Sequence, residues 1–299
     1  MDIKNIILSF IIGDSLGLSK LNNYEDNNIV IKDNKTLNIE KGNYSFYTTN
    51  LLATIDSITK YKNIVPKDIL NKLCMSLITG KYTSDKVYDL DKVSLDILEH
   101  YSKKNNINYK YNELDYSARS LSRIIPIVIY NYYNEDTLDT IIPIISITNI
   151  NEEVLIGAFI YYKYILNILE GYDKYKSLKI DIPNYFSLKN KIKYKHILKD
   201  NIYYSEIKYD EIIYNVLKII FYIILNSNNM KDVLMMLCNL EGNINLYCCL
   251  TLPIATILYG NDELNNLYKV IKNKRTINKY IKDYERIFRW KNILNMLLY

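Results

Sequence analysis

The chain lacks glutamine altogether and has one tryptophan and two histidines, yet it carries 31 tyrosines and abundant Asn, Ile and Lys. This is the bias of an AT-rich genome, and it strips any lone tyrosine of diagnostic weight. The four cysteines, Cys74, Cys238, Cys248 and Cys249, show no metal-ligand spacing. Two are adjacent inside an apolar stretch, where they act as small hydrophobes, so a zinc signature is excluded and a reducing compartment fits. His100 and His196 sit in Lys- and Tyr-rich surroundings and read as solvated surface residues in preference to metal or catalytic groups. No Gly-rich phosphate loop and no nucleophile elbow occurs. Long apolar runs are missing too: Lys218 interrupts the best candidate at 212–225, short of the ~18 residues a membrane helix needs. The apolar stretch at 6–12 is short, is flanked by Asp2 and Asp14, and has no small-residue cleavage site, so it reads as a first core helix. A soluble, cytoplasmic protein with no membrane association is the expectation.

Charge is likewise undramatic. The 38 basic and 33 acidic residues give +5, spread along the chain instead of gathered in blocks, which argues against a nucleic-acid surface. With 49% hydrophobic residues among 299, the chain can bury a large core. Apolar spacing of the helical kind recurs at 3–12, 50–58, 66–77, 93–101, 152–170, 211–225, 230–240 and 247–259, followed by mixed-charge helices at 264–299, and 117–131 is a strongly apolar run. Period-2 alternation is scarce, with one short strand candidate at 29–31. The sequence therefore predicts an all-α, single compact multi-helix domain over 1–299. Residues 172–205, Lys- and Tyr-rich without sustained periodicity, are predicted as a peripheral insertion. Residues 18–41, polar and Asn-rich, read as a surface loop over a cleft.

The stretch Leu240-Glu241-Gly242-Asn243-Ile244-Asn245-Leu246 organises the reading. A glycine and an alternating amide pair directly before a long uncharged segment predict a tight polar loop feeding a buried helix, at the floor of a cleft. In an extended loop Asn243 and Asn245 point the same way, and Gly242 lets backbone approach a ligand closely. Two acids at that spacing would make half a metal site; here there are two neutral amides. Near the start, Gly13-Asp14-Ser15-Leu16-Gly17 reads as a polar turn bracketed by glycines, with Asp14 capping or tying backbone amides. Thr48 or Thr49 is the expected N-cap of the helix at 50–58. Arg123, inside an apolar run, needs a partner or a route to solvent, and Thr148 to Glu153 has the pattern of a capped helix start with acids in the first turn.

Taken together, these segments resemble the ADP-ribosylglycohydrolase family, all-helical hydrolases that include the dinitrogenase-reductase-activating glycohydrolases. Residues 13–17 resemble that family's opening G-D-A-L-G. Residues 45–58 resemble its S-D-D-T-x-M-x-L-A segment, with Ser45, Thr48, Leu52, Ala53 and Ser57 matching and Phe46 and Tyr47 standing where two acids belong. Arg123-Ile124-Ile125-Pro126 is similar to M-R-x-x-P. Thr148-Asn149-Ile150-Asn151 lies where the family has T-H-x-D, Asn149 for the His and Asn151 for the Asp. Residues 241–246 resemble G-G-D-T-D-T with only Gly242 kept, and the following helix ends in Tyr259-Gly260, as the family's ends in Y-G. The resemblance spans about 3–268, in order and at compatible distances.

The resemblance implies a central cleft in which acids of these motifs, a Glu shortly after the first one, and threonines hold two Mg²⁺ ions that grip ribose hydroxyls and position a water. Leu21 falls where that Glu belongs, and Glu25 and Glu241 are the nearby acids that could compensate. With carboxylates lost, no metal, no cofactor and no catalytic residue is expected, because Mg²⁺ sheds water reluctantly without them. The cleft candidates are Asp14, Phe46, Tyr47, Thr48, Asn149, Asn151, Gly242, Asn243 and Asn245. The implied function is a pseudoenzyme that binds ADP-ribose or ADP-ribosylated protein, with Phe46 and Tyr47 as a stacking surface. The alternatives are an active hydrolase with rebuilt ligands and a purely structural or interaction scaffold.

Overall fold

A computed structural model describes residues 1–19, 24–25, 28–104, 113–134 and 140–298, and among these the side chains of all but 24, 25, 28 and 289–298. Leu21, the Glu25 side chain and the Trp290 side chain thus lie outside the described residues. Thirteen α-helices run through the described chain: α1 (Ile3–Leu18), α2 (Phe46–Tyr61), α3 (Pro66–Thr79), α4 (Lys92–Lys104), α5 (Ile124–Asn134) and α6 (Ile141–Ile145) in the first half. The second half holds α7 (Glu152–Leu169), α8 (Leu188–Lys195), α9 (Ile213–Asn226), α10 (Met230–Cys238), α11 (Ile244–Tyr259), α12 (Leu264–Tyr268) and α13 (Lys274–Leu298). One antiparallel ribbon joins β1 (Tyr24–Glu25) to β2 (Asn28–Ile29). No helix among the described residues is long and apolar enough to cross a membrane.

The centre of the molecule is the pair α1 and α11, which lie along one another. Both are buried nearly all round: α1 exposes little besides Lys4, and α11 is covered from Asn245 to Thr256. A helix apolar on every side needs neighbours on every side, and α2, α7, α9, α10 and α13 supply them. Side chains such as Ile7, Phe10, Ile11, Leu250 and Ile254 are wholly removed from water, each worth about 1.5–3 kcal/mol of burial. The four cysteines are free and buried, packed as apolar groups.

The expected turn at 13–17 is instead the last stretch of α1. A glycine inside a helix costs up to about 1 kcal/mol, and here close packing accounts for both. A Cβ on Gly13 would stand 2.6 Å from the backbone carbonyl of Cys248, and one on Gly17 only 2.1 Å from the Asn245 Cα. Spaced four apart on one face, they let the backbones of α1 and α11 touch.

Residues 172–205 contain α8 and short turns, and they send Leu178, Ile182, Phe186, Tyr194 and Ile197 into the main core against α7 and α9. The predicted loop at 18–41 carries the β1–β2 ribbon and, further on, a bridge between Asn34 and Ile39.

Candidate functional site

The packing of α1 on α11 aims Asp14 sideways, at the start of α2. Ser45, not Thr48 or Thr49, is the N-cap of that helix, its hydroxyl accepting from the Tyr47 amide at 3.1 Å. One Asp14 carboxylate oxygen accepts from the Ser45 and Thr48 amides at 2.9 and 3.1 Å and from the Thr48 hydroxyl at 2.7 Å. Donors left over at a helix start, together with its dipole, favour an anion there. The second oxygen, Oδ1, is buried without a partner. Burial is the dominant influence and raises the carboxyl to about 6, against the bonds from Ser45 and Thr48 that favour its charged form.

α11 begins at Ile244, earlier than the periodicity suggested, and Asn243 is its N-cap. The Asn243 carbonyl oxygen accepts from the Leu246 amide at 3.1 Å, so its NH₂ end faces away from the helix. That NH₂ donates to Glu211 Oε1 at 2.8 Å and to the Tyr47 hydroxyl at 3.0 Å. Asn245, in the first turn, donates to Asp89 Oδ2 at 3.0 Å. Gly242, at φ +77°, is where the chain turns in, and a Cβ there would press at 3.0 Å on the Tyr209 carbonyl and the Tyr247 hydroxyl.

Glu211 and Asp89 are joined by a residue that the motifs do not contain. Arg119 donates through Nε and Nη2 to both oxygens of Glu211, at 2.6 and 2.7 Å, and through Nη1 to the carboxylate and the backbone carbonyl of Asp89, at 3.0 and 3.2 Å. Its guanidinium lies 5.5 Å from the centre of the Tyr47 ring. Burial opposes its charge, but the carboxylates of Glu211 and Asp89 more than offset that and hold it above its usual value. Asp89 sits at φ +51°, a left-handed backbone that Asp tolerates better than most residues. The position of Glu211 is set by backbone: the Ala118 amide donates to the Glu211 carbonyl and the Ile213 amide to that of Tyr116.

Above this network lies an open cleft of about 1000 Å³, lined by Gly17, Asn34, Leu37, Ile39, Lys86 to Asp89, and Tyr209 to Glu211, with Gly242 to Asn245 at its floor. Of the residues singled out from sequence, Gly242, Asn243 and Asn245 line it. Phe46 and Tyr47, 3% and 1% exposed, turn into the core and offer no stacking face. They occupy the first turn of α2, and Tyr47 meets the cleft floor only through its hydroxyl, which accepts from Asn243. Burial and the nearby Asp89 keep that phenol protonated. Asp14 and Thr48 are wholly buried behind them.

Asn149 and Asn151 serve the neighbouring loop. Asn151 caps α7 through the Glu153 amide at 2.8 Å, Asn149 accepts from the Asn151 amide at 2.9 Å, and its NH₂ donates to the Asp115 carbonyl at 3.0 Å. Buried Arg123 finds partners in Asn50 and Thr148.

With this geometry in view, comparison with known proteins decides the architecture. No family model and no curated protein sequence matches the chain. A solved structure described as an ADP-ribosylglycohydrolase-related protein complex superposes with a TM-score of 0.74, over 95% of this chain and 97% of that one, at 14% identity. The chain has the ADP-ribosylglycohydrolase fold. The donor set at the floor of this glycohydrolase fold suits a divalent ion poorly. Asn243 has its carbonyl committed to the helix cap, both amides point N–H groups at the acids, and a guanidinium stands between those acids. Among the described residues no group of three or more His, Cys, Asp or Glu is placed to hold a metal. Glu241, offered by sequence as a compensating acid, is exposed and does not line the cleft. The acids that do approach it are Asp89, Asp210 and Glu211, which sequence reasoning passed over along with Arg119. One signal was available: in a chain so rich in lysine, two of its five arginines, Arg119 and Arg123, stand four apart in one short segment.

Proposed function

We propose that this is a catalytically silent, metal-free protein on the ADP-ribosylglycohydrolase fold, whose cleft binds ADP-ribose or ADP-ribosylated protein. One observation carries the reading: the Arg119 guanidinium is seated between Glu211 and Asp89, two acids that line a cleft that is still open. Hydrolysis of the implied kind needs a positively charged metal pair to orient ribose and water, and in its place stands an acid pair bridged by a single guanidinium.

Several features favour a retained ligand. The volume is at the upper end of ordinary small-molecule sites. Tyr209 lines the wall and takes over the stacking role expected of Phe46 and Tyr47, while Lys86 is a cation for a diphosphate. Neutral hydrogen bonds add only about 0.5–1.5 kcal/mol each, and Asp210 works against an anion, so binding is weak, in the high-micromolar to millimolar range. The rebuilt-hydrolase reading draws on Asp89, Asp210 and Glu211 lining the cleft together.

Calorimetric titration of ADP-ribose in EDTA separates these readings. Heat of binding without metal, weakened severalfold by Lys86→Ala and by Tyr209→Ala, is the expected result. No heat at millimolar ligand would leave the scaffold reading, and metal-dependent release of ADP-ribose from modified peptides would establish the rebuilt hydrolase.

A further inference from the structure

We propose that Arg119 is a built-in cation that masks a latent divalent-ion site formed by Glu211 and Asp89, and that it organises the cleft floor in place of an exchangeable metal. The inference rests on the metal-free reading above but not on ADP-ribose binding.

Every carboxylate oxygen of the two acids is taken. Glu211 Oε2 receives Arg119 Nε, and Oε1 receives both Arg119 Nη2 and the Asn243 amide. Asp89 Oδ1 receives Arg119 Nη1, and Oδ2 receives the Asn245 amide. Five N–H donors therefore converge where a hard cation would otherwise take oxygen ligands. Bidentate guanidinium–carboxylate pairing is among the stronger hydrogen-bonded arrangements and is fixed in geometry. The Arg119 side chain is 17% exposed, and the two acids that it joins line the cleft.

The substitution pattern is coherent at this point. Acids at 243 and 245 would confront Glu211 and Asp89 across 2.8 and 3.0 Å; amides at 243 and 245 let the same acids serve as acceptors. Charge counting gives the consequence of removing the arginine. Two carboxylates within reach of one side chain would be left uncompensated, next to a solvent-open volume that can supply waters. One or two carboxylates completed by water is a normal coordination for Mg²⁺, and Ca²⁺ accepts a looser version of it.

Thermal unfolding of the full chain, in EDTA and in increasing Mg²⁺ or Ca²⁺, tests the proposal. Wild type should show no metal-dependent shift. Arg119→Ala should melt lower in EDTA and recover with added cation, by about 2 °C at ten times its dissociation constant. Glu211→Gln introduced into Arg119→Ala should abolish the recovery, and Arg119→Lys, which keeps the charge, should remain insensitive to metal. Should Arg119→Ala not fold in EDTA, its refolding yield in Ca²⁺ against EDTA becomes the readout. A metal response of wild type equal to that of Arg119→Ala, or no response of Arg119→Ala in either measurement, overturns the proposal. The ADP-ribose titration is made in EDTA, so its failure and the failure of this inference register in different experiments.

Discussion

Asp14 provides a quantitative check on the geometry at the start of α2. Its carboxyl is raised from 3.8 to about 6 in the folded protein because burial opposes charge more strongly than the bonds from Ser45 and Thr48 favour it. The folded state therefore holds the proton more tightly than the unfolded chain. The stabilisation that protonation brings is complete below 3.8 and is lost as pH rises through about 6. With these two values, lowering the pH from 7 to 5 stabilises the fold through this one group by about 1.4 kcal/mol. Asp14→Asn removes the titration while keeping an acceptor for the Thr48 hydroxyl and the two amides. Its new NH₂ falls where Oδ1 has no partner, a penalty of about 1–3 kcal/mol that does not depend on pH. The assay is urea unfolding of both proteins at pH 7, 6 and 5. The wild-type minus variant difference should grow toward acid pH by about 1.4 kcal/mol. A difference that stays flat, or grows toward alkaline pH, would refute the claim that burial dominates at this carboxylate.

Two substitutions probe other parts of the site. Asn243→Asp keeps the cap of α11 but sets a carboxylate against Glu211 Oε1, now 2.8 Å from the amide nitrogen. An unscreened like-charge pair at about 4 Å costs about 4 kcal/mol at an effective dielectric of 20, and partial exposure of Glu211 reduces this to about 2 kcal/mol. Denaturation at pH 8 should show that loss, recovered as the pair takes up a proton on acidification; a variant as stable as wild type at pH 8 contradicts the network. Gly17→Ala drives a Cβ into the Asn245 backbone and should cost more than about 3 kcal/mol. Gly171→Ala, which meets nothing within 4 Å but sits at φ +94°, should cost only about 1 kcal/mol; equal losses in thermal unfolding would contradict the close packing of α1 on α11.

The helices were legible because their apolar spacing reports burial directly, as in α9, where the predicted 211–225 became Ile213–Asn226. Asp14 and Asn243 were legible because each adjoins a glycine with a conformational or packing reason to be there. The extent of α1 was not, since local rules treat glycine as a helix breaker while the reason for Gly13 and Gly17 lies on another helix. The central residue of the floor was also hidden. Arg119 lies in a short 3₁₀ segment, Ala118–Arg123, with no sustained helical period, and its partners Asp89 and Glu211 stand 30 and 92 residues away. Scanning for lost carboxylates shows which charges are absent from the motifs but not where other charges have entered the same space. Phe46 and Tyr47 were read as surfaces for a ligand because the motif puts acids there; replacing an acid with a large apolar ring instead lets the core claim the position.

The glycine contact between α1 and α11 also bears on how the chain reaches this state. The first helix of the sequence finds its principal neighbour only near the end, so almost the whole polypeptide must be threaded into one closure before the central pair can form. Long-range closures of this kind are slow and leave apolar surface uncovered meanwhile. During synthesis α1 would wait, apolar on nearly every side, until α11 had emerged. Assembly of the core and assembly of the cleft floor are thereby one late event, and a chain cut short before α11 would have neither.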